Sequence, residues 1–209
     1  MTKIVPAILV KTMEDYSREL AIVRQLTNRF QLDIIDGEYV DNKTIELGEI
    51  ARLNELSIDI HLMVRDPKPY VEKAMALRAN NTIIQLDCCD DITPNLMRIK
   101  KAGLNAGVAI NPTDQLKRLK PIGELIDHIL IMGYQAGFAG QKLNPIVFDR
   151  LQEVRKLFPG KEIGLDGGVN SKNAKKILQA GFDVVNVNTL IFGSSDPLSA
   201  YSELLEYSL

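Results

Sequence analysis

The chain has two cysteines, Cys88 and Cys89, and they are adjacent. Neighbouring cysteines rarely bridge to one another and two thiols give no zinc spacing, so a disulfide scaffold and a cysteine-based zinc site both drop out, and a reducing cytoplasm is the expected compartment. Also missing is any long basic run. With a formal net charge of -2, nucleic acid and an anionic membrane surface are excluded as main partners. No apolar stretch approaches the roughly 18 residues of a membrane span, and the opening Met1-Thr2-Lys3-Ile4-Val5-Pro6 lacks the layout of a signal peptide. Linkers, low-complexity tracts and repeats are absent too, so one domain over 1–209 is expected. At 45% hydrophobic residues, the chain has enough apolar material for a full core.

What is present is an alternation. Short apolar runs at Ile4 to Val10, Phe30 to Ile35, Ile58 to Met63, Thr82 to Leu86, Ala106 to Ile110, His128 to Met132, Glu162 to Leu165 and Phe182 to Val187 read as strands. Between them lie amphipathic segments, such as Met13, Leu20, Ile22, Val23 and Leu26 before the second run and Ile45, Leu47, Ile50 and Leu53 before the third. Helix starts are signalled at Asp66-Pro67, Thr93-Pro94, Asn144-Pro145 and Ser171, and stops at Gly103 and Gly181. Eight strand–helix units in about 200 residues predict a compact α/β fold, a (β/α)8 TIM barrel. A doubly wound open sheet is the alternative, but no G-x-G-x-x-G follows the first strand.

The second strand carries the strongest functional signal. It closes on Asp36-Gly37, a turn signal, and alternation puts Gln31, Asp33 and Ile35 on one face and Leu32 and Ile34 on the other. A carboxylate aimed into a barrel costs several kcal/mol unless it meets a metal, a donor or a substrate. In this fold the chemistry sits at the C-terminal ends of the strands. Reading those ends collects Gln31, Asp33, Asp59, His61, Gln85, Asp87, Met132, Asp166, Asn186 and Asn188, too many polar groups for an inert core.

Pro6-Ala7-Ile8-Leu9, Leu32-Asp33-Ile34-Ile35-Asp36-Gly37, Asp59-Ile60-His61-Leu62-Met63, Gly137-Phe138-Ala139-Gly140-Gln141-Lys142, Asp166-Gly167-Gly168-Val169-Asn170 and Ile191-Phe192-Gly193-Ser194 resemble, in order and spacing, the ribulose-phosphate 3-epimerase family over nearly the whole chain. The resemblance implies an isomerase of the pentose phosphate pathway that uses a divalent cation, zinc, iron, manganese or magnesium. Such an enzyme inverts C3 of a ketopentose 5-phosphate, interconverting D-ribulose 5-phosphate and D-xylulose 5-phosphate. It implies Asp33 and Asp166 as the acid and base, and Asp33, His61 and Asp166 as metal ligands. Met63 and Met132 resemble methionines lining the pocket. The chemistry needs this set, because a proton beside a ketone is too weakly acidic for an unaided carboxylate.

The departures from the family pattern are as informative. Gln31 stands where a histidine ligand is usual; its carbonyl can hold a hard cation but is a poorer zinc or iron ligand than imidazole. Gln85 replaces another histidine, Ala7 a substrate-facing serine, and Gly133-Tyr134-Gln135-Ala136 the usual S/T-V-N-P. For the phosphate, the resemblance implies Gly137, Phe138, Ala139 and Gly140 after strand six, Gly167 and Gly168 after strand seven, and Asn188 and Thr189 at a short helix after strand eight. A substrate-shifted or non-catalytic paralogue, a hexulose 6-phosphate 3-epimerase or a sugar-phosphate binding protein, is the alternative reading. A decarboxylase-like relative needs D-x-K-x-x-D on strand three, which Asp59 to Val64 lacks. A small sugar phosphate is the expected partner, and a homo-oligomer stays open. Cys88, Cys89 and His128 are read as structural or as spectators, and Asp36 as a brace for its turn.

Overall fold

A computed structural model describes residues 2–137 and 141–208. Eight parallel strands, each hydrogen-bonded to the next and the last to the first, close a (β/α)8 barrel. They are β1 (Lys3–Ile8), β2 (Arg29–Ile35), β3 (Ser57–Met63), β4 (Asn81–Gln85), β5 (Asn105–Ile110), β6 (His128–Met132), β7 (Glu162–Asp166) and β8 (Val184–Val187). Around them run α1 (Met13–Leu26), α2 (Lys68–Leu77), α3 (Thr93–Lys101), α4 (Ile146–Leu157), α5 (Ala174–Leu178), α6 (Thr189–Phe192) and α7 (Pro197–Tyr207). Among the described residues, no helix is long and apolar enough to cross a membrane.

Strand alternation splits the core in two. Outward residues such as Leu32, Ile34, Ile60 and Leu62 join the large cluster between barrel and helices, with Tyr16, Leu20 and Val23 of α1 among their partners. Inward, a small apolar cluster of Ile35, Met63, Ile83, Ala109, Leu130, Met132 and Ala136 fills one side of the barrel. Thr12 caps α1 by accepting from the Asp15 N–H at 3.1 Å, so the helix starts where its apolar spacing begins.

The helix expected from Ile45, Leu47, Ile50 and Leu53 is a correction. That stretch forms one 3₁₀ turn, Leu47–Glu49. Ile45, Leu47 and Ile50 are buried and Leu53 is partly so, but the backbone is already engaged elsewhere: Thr44 N–H donates to Ile35 O at 3.2 Å and Ile45 N–H to Val10 O at 3.1 Å. A chain bonded to two strand ends cannot also close helical turns. Between β5 and β6 the connection Leu116–Leu125 is likewise 3₁₀, with Pro121 inside it.

The strands are staggered. Following paired residues around the sheet from Asp33 leads to His61, Ile83, Gly107, His128 and finally Glu162. Asp33 sits near the C-terminal mouth of the barrel and Glu162 begins β7, four residues before Asp166. One ladder thus descends from mouth to floor, which is the shear a closed barrel requires.

Candidate active site at the barrel mouth

Six inward side chains meet near the C-terminal end: Gln31 and Asp33 from β2, His61 from β3, Gln85 from β4, Asp166 from β7 and Asn186 from β8. All are buried. His61 Nδ1 lies 3.0 Å from Asp33 Oδ1 and 3.4 Å from Asp166 Oδ2. Gln31 Nε2 donates to both carboxylates, at 2.8 Å to Asp33 and 2.7 Å to Asp166, while its Oε1 accepts from Asn186 Nδ2 at 2.7 Å. Gln85 Nε2 closes the group at 2.8 Å from His61 Nε2.

Burial, and then the charge of Asp166, push the Asp33 carboxyl up to about 6, with the bonds from His61 and Gln31 pulling the other way. Burial works against a charged His61, yet the hydrogen bonds to Asp166 and Asp33 and their charges outweigh it and carry the imidazole up to about 9. Two acids in one dry pocket, one of them shifted toward neutrality, are the raw material of paired acid–base work.

Asp33, His61 and Asp166 each turn one ligand atom inward, and these atoms lie within 4.8 Å of one another. Two carboxylate oxygens and an imidazole nitrogen suit a divalent cation. The surroundings fit one too, since Gln85 Oε1 and Asn186 Oδ1 are buried with no hydrogen-bond partner among the described residues. Two side chains of this group therefore carry acceptor oxygens that no described residue uses, while their nitrogens face His61 and Gln31.

Above the two carboxylates opens a cavity of about 200 Å³, lined in part by Asp33, Asp166, Tyr134, Asn186, Asn188 and Thr189. Gly167 and Gly168 form its wall beside Asp166. Gly167 has φ +93°, a conformation side chains resist, and the Tyr134 ring packs where its Cβ would stand. Gly133 is required for a different reason. Its N–H donates to Asp166 O at 2.6 Å, and a Cβ there would strike Gly167 O. Asn188 Nδ2 donates to Ala7 O at 2.7 Å and so fixes the start of α6 against β1. Burial and the charges of Asp166 and Asp33 push the Tyr134 phenol well above its usual value, so it stays a neutral hydroxyl at the cavity wall.

The segment after β2 folds over the mouth. Asp36 accepts from the N–H groups of Glu38, Tyr39 and Arg65, Tyr39 and Val40 cover the inner apolar cluster, and Asn42 Nδ2 donates to Gly137 O at 2.8 Å. Asp36 thus braces its turn.

Of the residues singled out from sequence, Gln31, Asp33, His61 and Asp166 come together, and Gly167, Gly168, Asn188 and Thr189 line the cavity above them. Met63 and Met132 sit within the inner apolar cluster rather than on the cavity wall. Gly137 packs under Val40, and Phe138, Ala139 and Gly140 lie outside the described residues.

Of two further acids expected at the mouth, one is at the opposite end of the barrel and the other is at the rim but outside the central group. Asp59 is at the barrel floor, bonded to Arg29 at 2.8 Å and to Asn80 and Asn81, because it precedes His61 by two residues and faces the same interior one layer lower. Asp87 lies beyond the end of β4 and accepts from the Tyr39 hydroxyl at 2.7 Å. His128 is buried at the floor against Glu162 at 2.9 Å, a structural histidine. Cys88 and Cys89 are free thiols.

Sequence reasoning had not placed Tyr134, Leu9 or Asn170 in the cavity wall. An aromatic residue two positions past the end of β6 is a signal that could have found Tyr134.

A family model for the ribulose-phosphate 3 epimerase family matches residues 3–192. The chain is 28% identical over 213 residues to the ribulose-phosphate 3-epimerase of Bacillus subtilis (strain 168), covering 98% of each. It is 33% identical over 183 residues to that of Aquifex aeolicus (strain VF5), covering 84% of this chain and 82% of the relative. Among solved structures, 3-hexulose-6-phosphate synthase from Salmonella typhimurium superposes with a TM-score of 0.75 at 17% identity, covering 99% of this chain and 98% of the other. Orotidine 5'-phosphate decarboxylase from Pyrococcus horikoshii OT3 gives 0.69 at 16% identity, with 98% of both chains covered. At such identities these two likenesses show the fold alone.

Proposed function

The chain belongs to the ribulose-phosphate 3-epimerase family, and from that premise we propose that it epimerises C3 of D-ribulose 5-phosphate to D-xylulose 5-phosphate, with Asp33 and Asp166 as the two proton-transfer groups. One observation carries this reading: two buried carboxylates and one imidazole converge within 4.8 Å under a cavity at the end of a closed barrel where this fold keeps its chemistry.

Inversion at C3 needs a base on one face of the substrate and an acid on the other. Asp33 and Asp166 come from strands far apart in the sequence, β2 and β7, and both border the cavity. One takes the C3 proton and the other returns a proton to the opposite face, and the roles exchange in the reverse direction. Asp33, His61 and Asp166 would hold a divalent cation, which would supply Lewis acidity toward the C2 carbonyl. His61 is held in place from behind by Gln85, as imidazole ligands commonly are by a second partner. Tyr134, Asn188 and Thr189 offer hydrogen bonds to substrate oxygens, and the Gly167-Gly168 wall lets a phosphate approach backbone N–H groups closely.

The test is solvent exchange at carbon. In D₂O the wild-type chain, supplied in turn with Mn²⁺, Zn²⁺ and Fe²⁺, should wash out the C3 proton of D-ribulose 5-phosphate. Asp33→Asn and Asp166→Asn should not, and exchange unaffected by either change would remove both residues from the mechanism. A second reading is favoured by Gln31, which satisfies both carboxylates with neutral N–H donors. A sugar-phosphate binder built on this centre would retain ligand and show no exchange with any metal, whereas a substrate-shifted enzyme would exchange a six-carbon ketose phosphate faster.

A further inference from the structure

Among the described residues, Tyr134 is the one aromatic side chain on the wall of the mouth cavity. Its ring rests on Gly167, where a Cβ would stand 2.7 Å from Cζ and 3.1 Å from the hydroxyl oxygen. Burial and the charges of Asp166 and Asp33 keep the phenol protonated, so the hydroxyl feels both acids, yet it bonds to neither. No other described residue bonds it either. A neutral hydroxyl in that position finds its partner in whatever fills the cavity.

The turn that carries the ring is fastened on both sides. Gly133 uses both backbone groups, its N–H donating to Asp166 O at 2.6 Å and its carbonyl accepting from Asn144 N–H at 2.7 Å. Two residues past Tyr134, the Ala136 N–H donates to Asn111 Oδ1 at 3.0 Å. Asn111 Nδ2 in turn donates to Asp87 at 3.1 Å and to the Tyr39 hydroxyl at 3.0 Å. The ring is therefore carried on main chain tied to the ends of β7 and β5, and the glycine beneath it has no room to retreat, because Gly133 stands against Gly167 O. The cavity so bounded holds about 200 Å³, under the roughly 300–1,000 Å³ common for small-molecule sites. Each further CH–OH unit of a sugar needs at least about the 30 Å³ share of a water molecule. With the wall fixed, the phenol is the part of the boundary whose size decides what length of ligand fits.

Resting on the sugar-phosphate reading above, we propose that Tyr134 is a specificity-determining residue: its ring limits the bound chain to five carbons, and its hydroxyl hydrogen-bonds an oxygen of that ligand. The two parts of the side chain then do separable things. The ring discriminates by length, and the hydroxyl strengthens binding of any ligand that reaches it.

Ribitol 5-phosphate and glucitol 6-phosphate test this, because they lack the carbonyl and bind without turning over. In calorimetry with Mn²⁺ present, the parent should hold the five-carbon ligand at least about tenfold more tightly, the effect of one carbon unit too many in a fitted pocket. Tyr134→Ala should narrow that preference by about tenfold or more, by tightening the six-carbon ligand. Tyr134→Phe keeps the ring, and so should keep the preference while weakening both ligands about 2–10-fold through the lost hydrogen bond. Tyr134→Leu, shorter but still apolar against Gly167, should narrow the preference as well, and it decides the matter if Tyr134→Ala fails to fold. The proposal is overturned if the parent holds the two ligands equally, if the preference survives Tyr134→Ala (or Tyr134→Leu in its place), or if Tyr134→Phe alone removes it. A parent that binds neither ligand overturns the sugar-phosphate reading together with the proposal. One that binds the five-carbon ligand selectively but exchanges no C3 proton overturns catalysis and leaves the length limit standing.

Discussion

The barrel interior contains two charged layers, built by the same strands and wired in opposite ways. At the floor, the Arg29 guanidinium reaches Asp59 through Nε at 2.8 Å and grips both oxygens of Glu162 at 3.1 and 2.8 Å. Asn80 and Asn81 fill the other oxygen of Asp59, and His128 adds to Glu162. Two residues further along β2 and β3, and four along β7, the mouth has two acids, one imidazole and neutral amides, with no arginine or lysine bonded to Asp33 or Asp166 among the described residues. The floor's two acids share a permanently charged guanidinium, whereas the mouth's two acids meet only an imidazole and neutral amides, and a carboxylate pair held without a guanidinium is the one whose proton affinity its surroundings can tune.

The contrast can be broken most severely at the mouth. Asp166→Asn or Asp33→Asn should cut C3 proton exchange by about 10²–10⁴-fold, the range general acid–base groups supply, while urea unfolding shows a chain no less stable than the parent. At the floor the signs reverse. Arg29→Met takes the guanidinium from buried Asp59 and half-buried Glu162 and should cost about 3–5 kcal/mol in urea unfolding, yet exchange per folded molecule should be unchanged.

Titration sharpens the comparison. Folded, the Asp33 carboxyl sits at about 6, above its ordinary 3.8. The folded state binds the extra proton, so in metal-free protein Asp33's contribution is greatest in acid and falls away as pH rises from about 4 to about 6, by about 3 kcal/mol at 1.36 kcal/mol per unit. Asp33→Asn should abolish that slope. Glu162 behaves the other way. Burial raises it, but the bonds from His128 and Arg29 and their charges hold it well below its ordinary 4.5, so its contribution is full above that pH and disappears as pH falls beneath it. Comparing urea midpoints of Glu162→Gln and parent from pH 3 to 7 should show a gap that opens with rising pH. The smallest effect belongs to Lys3, 64% exposed and 3.4 Å from Glu162. Lys3→Met should move stability by less than about 1 kcal/mol, and a larger loss would mean the floor network extends to the surface.

Much of this was legible in the residues. The apolar runs located all eight strands within a residue or two at most ends, because a strand buried on both faces is written as a short uninterrupted run. Alternation correctly turned Gln31 and Asp33 inward. It could not say at which level of the barrel an inward residue would lie, and so it grouped Asp59 with His61 although the two belong to different layers. Level is set by the stagger between strands, a property of the closed sheet. The stretch from Ile45 to Leu53 had helical spacing, but its backbone bonds to Val10 and Ile35 took precedence. The role of Gln31 was half visible: its position marked a departure at the metal centre, while its donor end bridging both acids depends on Asn186, 155 residues away.

The close approach of Gly133 to the strand-seven turn has a mechanical consequence. Its N–H anchors the carbonyl of Asp166, and the next peptide, at Gly167, is wedged between that glycine and the Tyr134 ring. The acid and the wall that would seat a phosphate are therefore one stiff piece of main chain, steered from β6. A longer or shorter ligand could not be fitted by reshaping the wall alone, because moving it would drag the Asp166 carboxylate along.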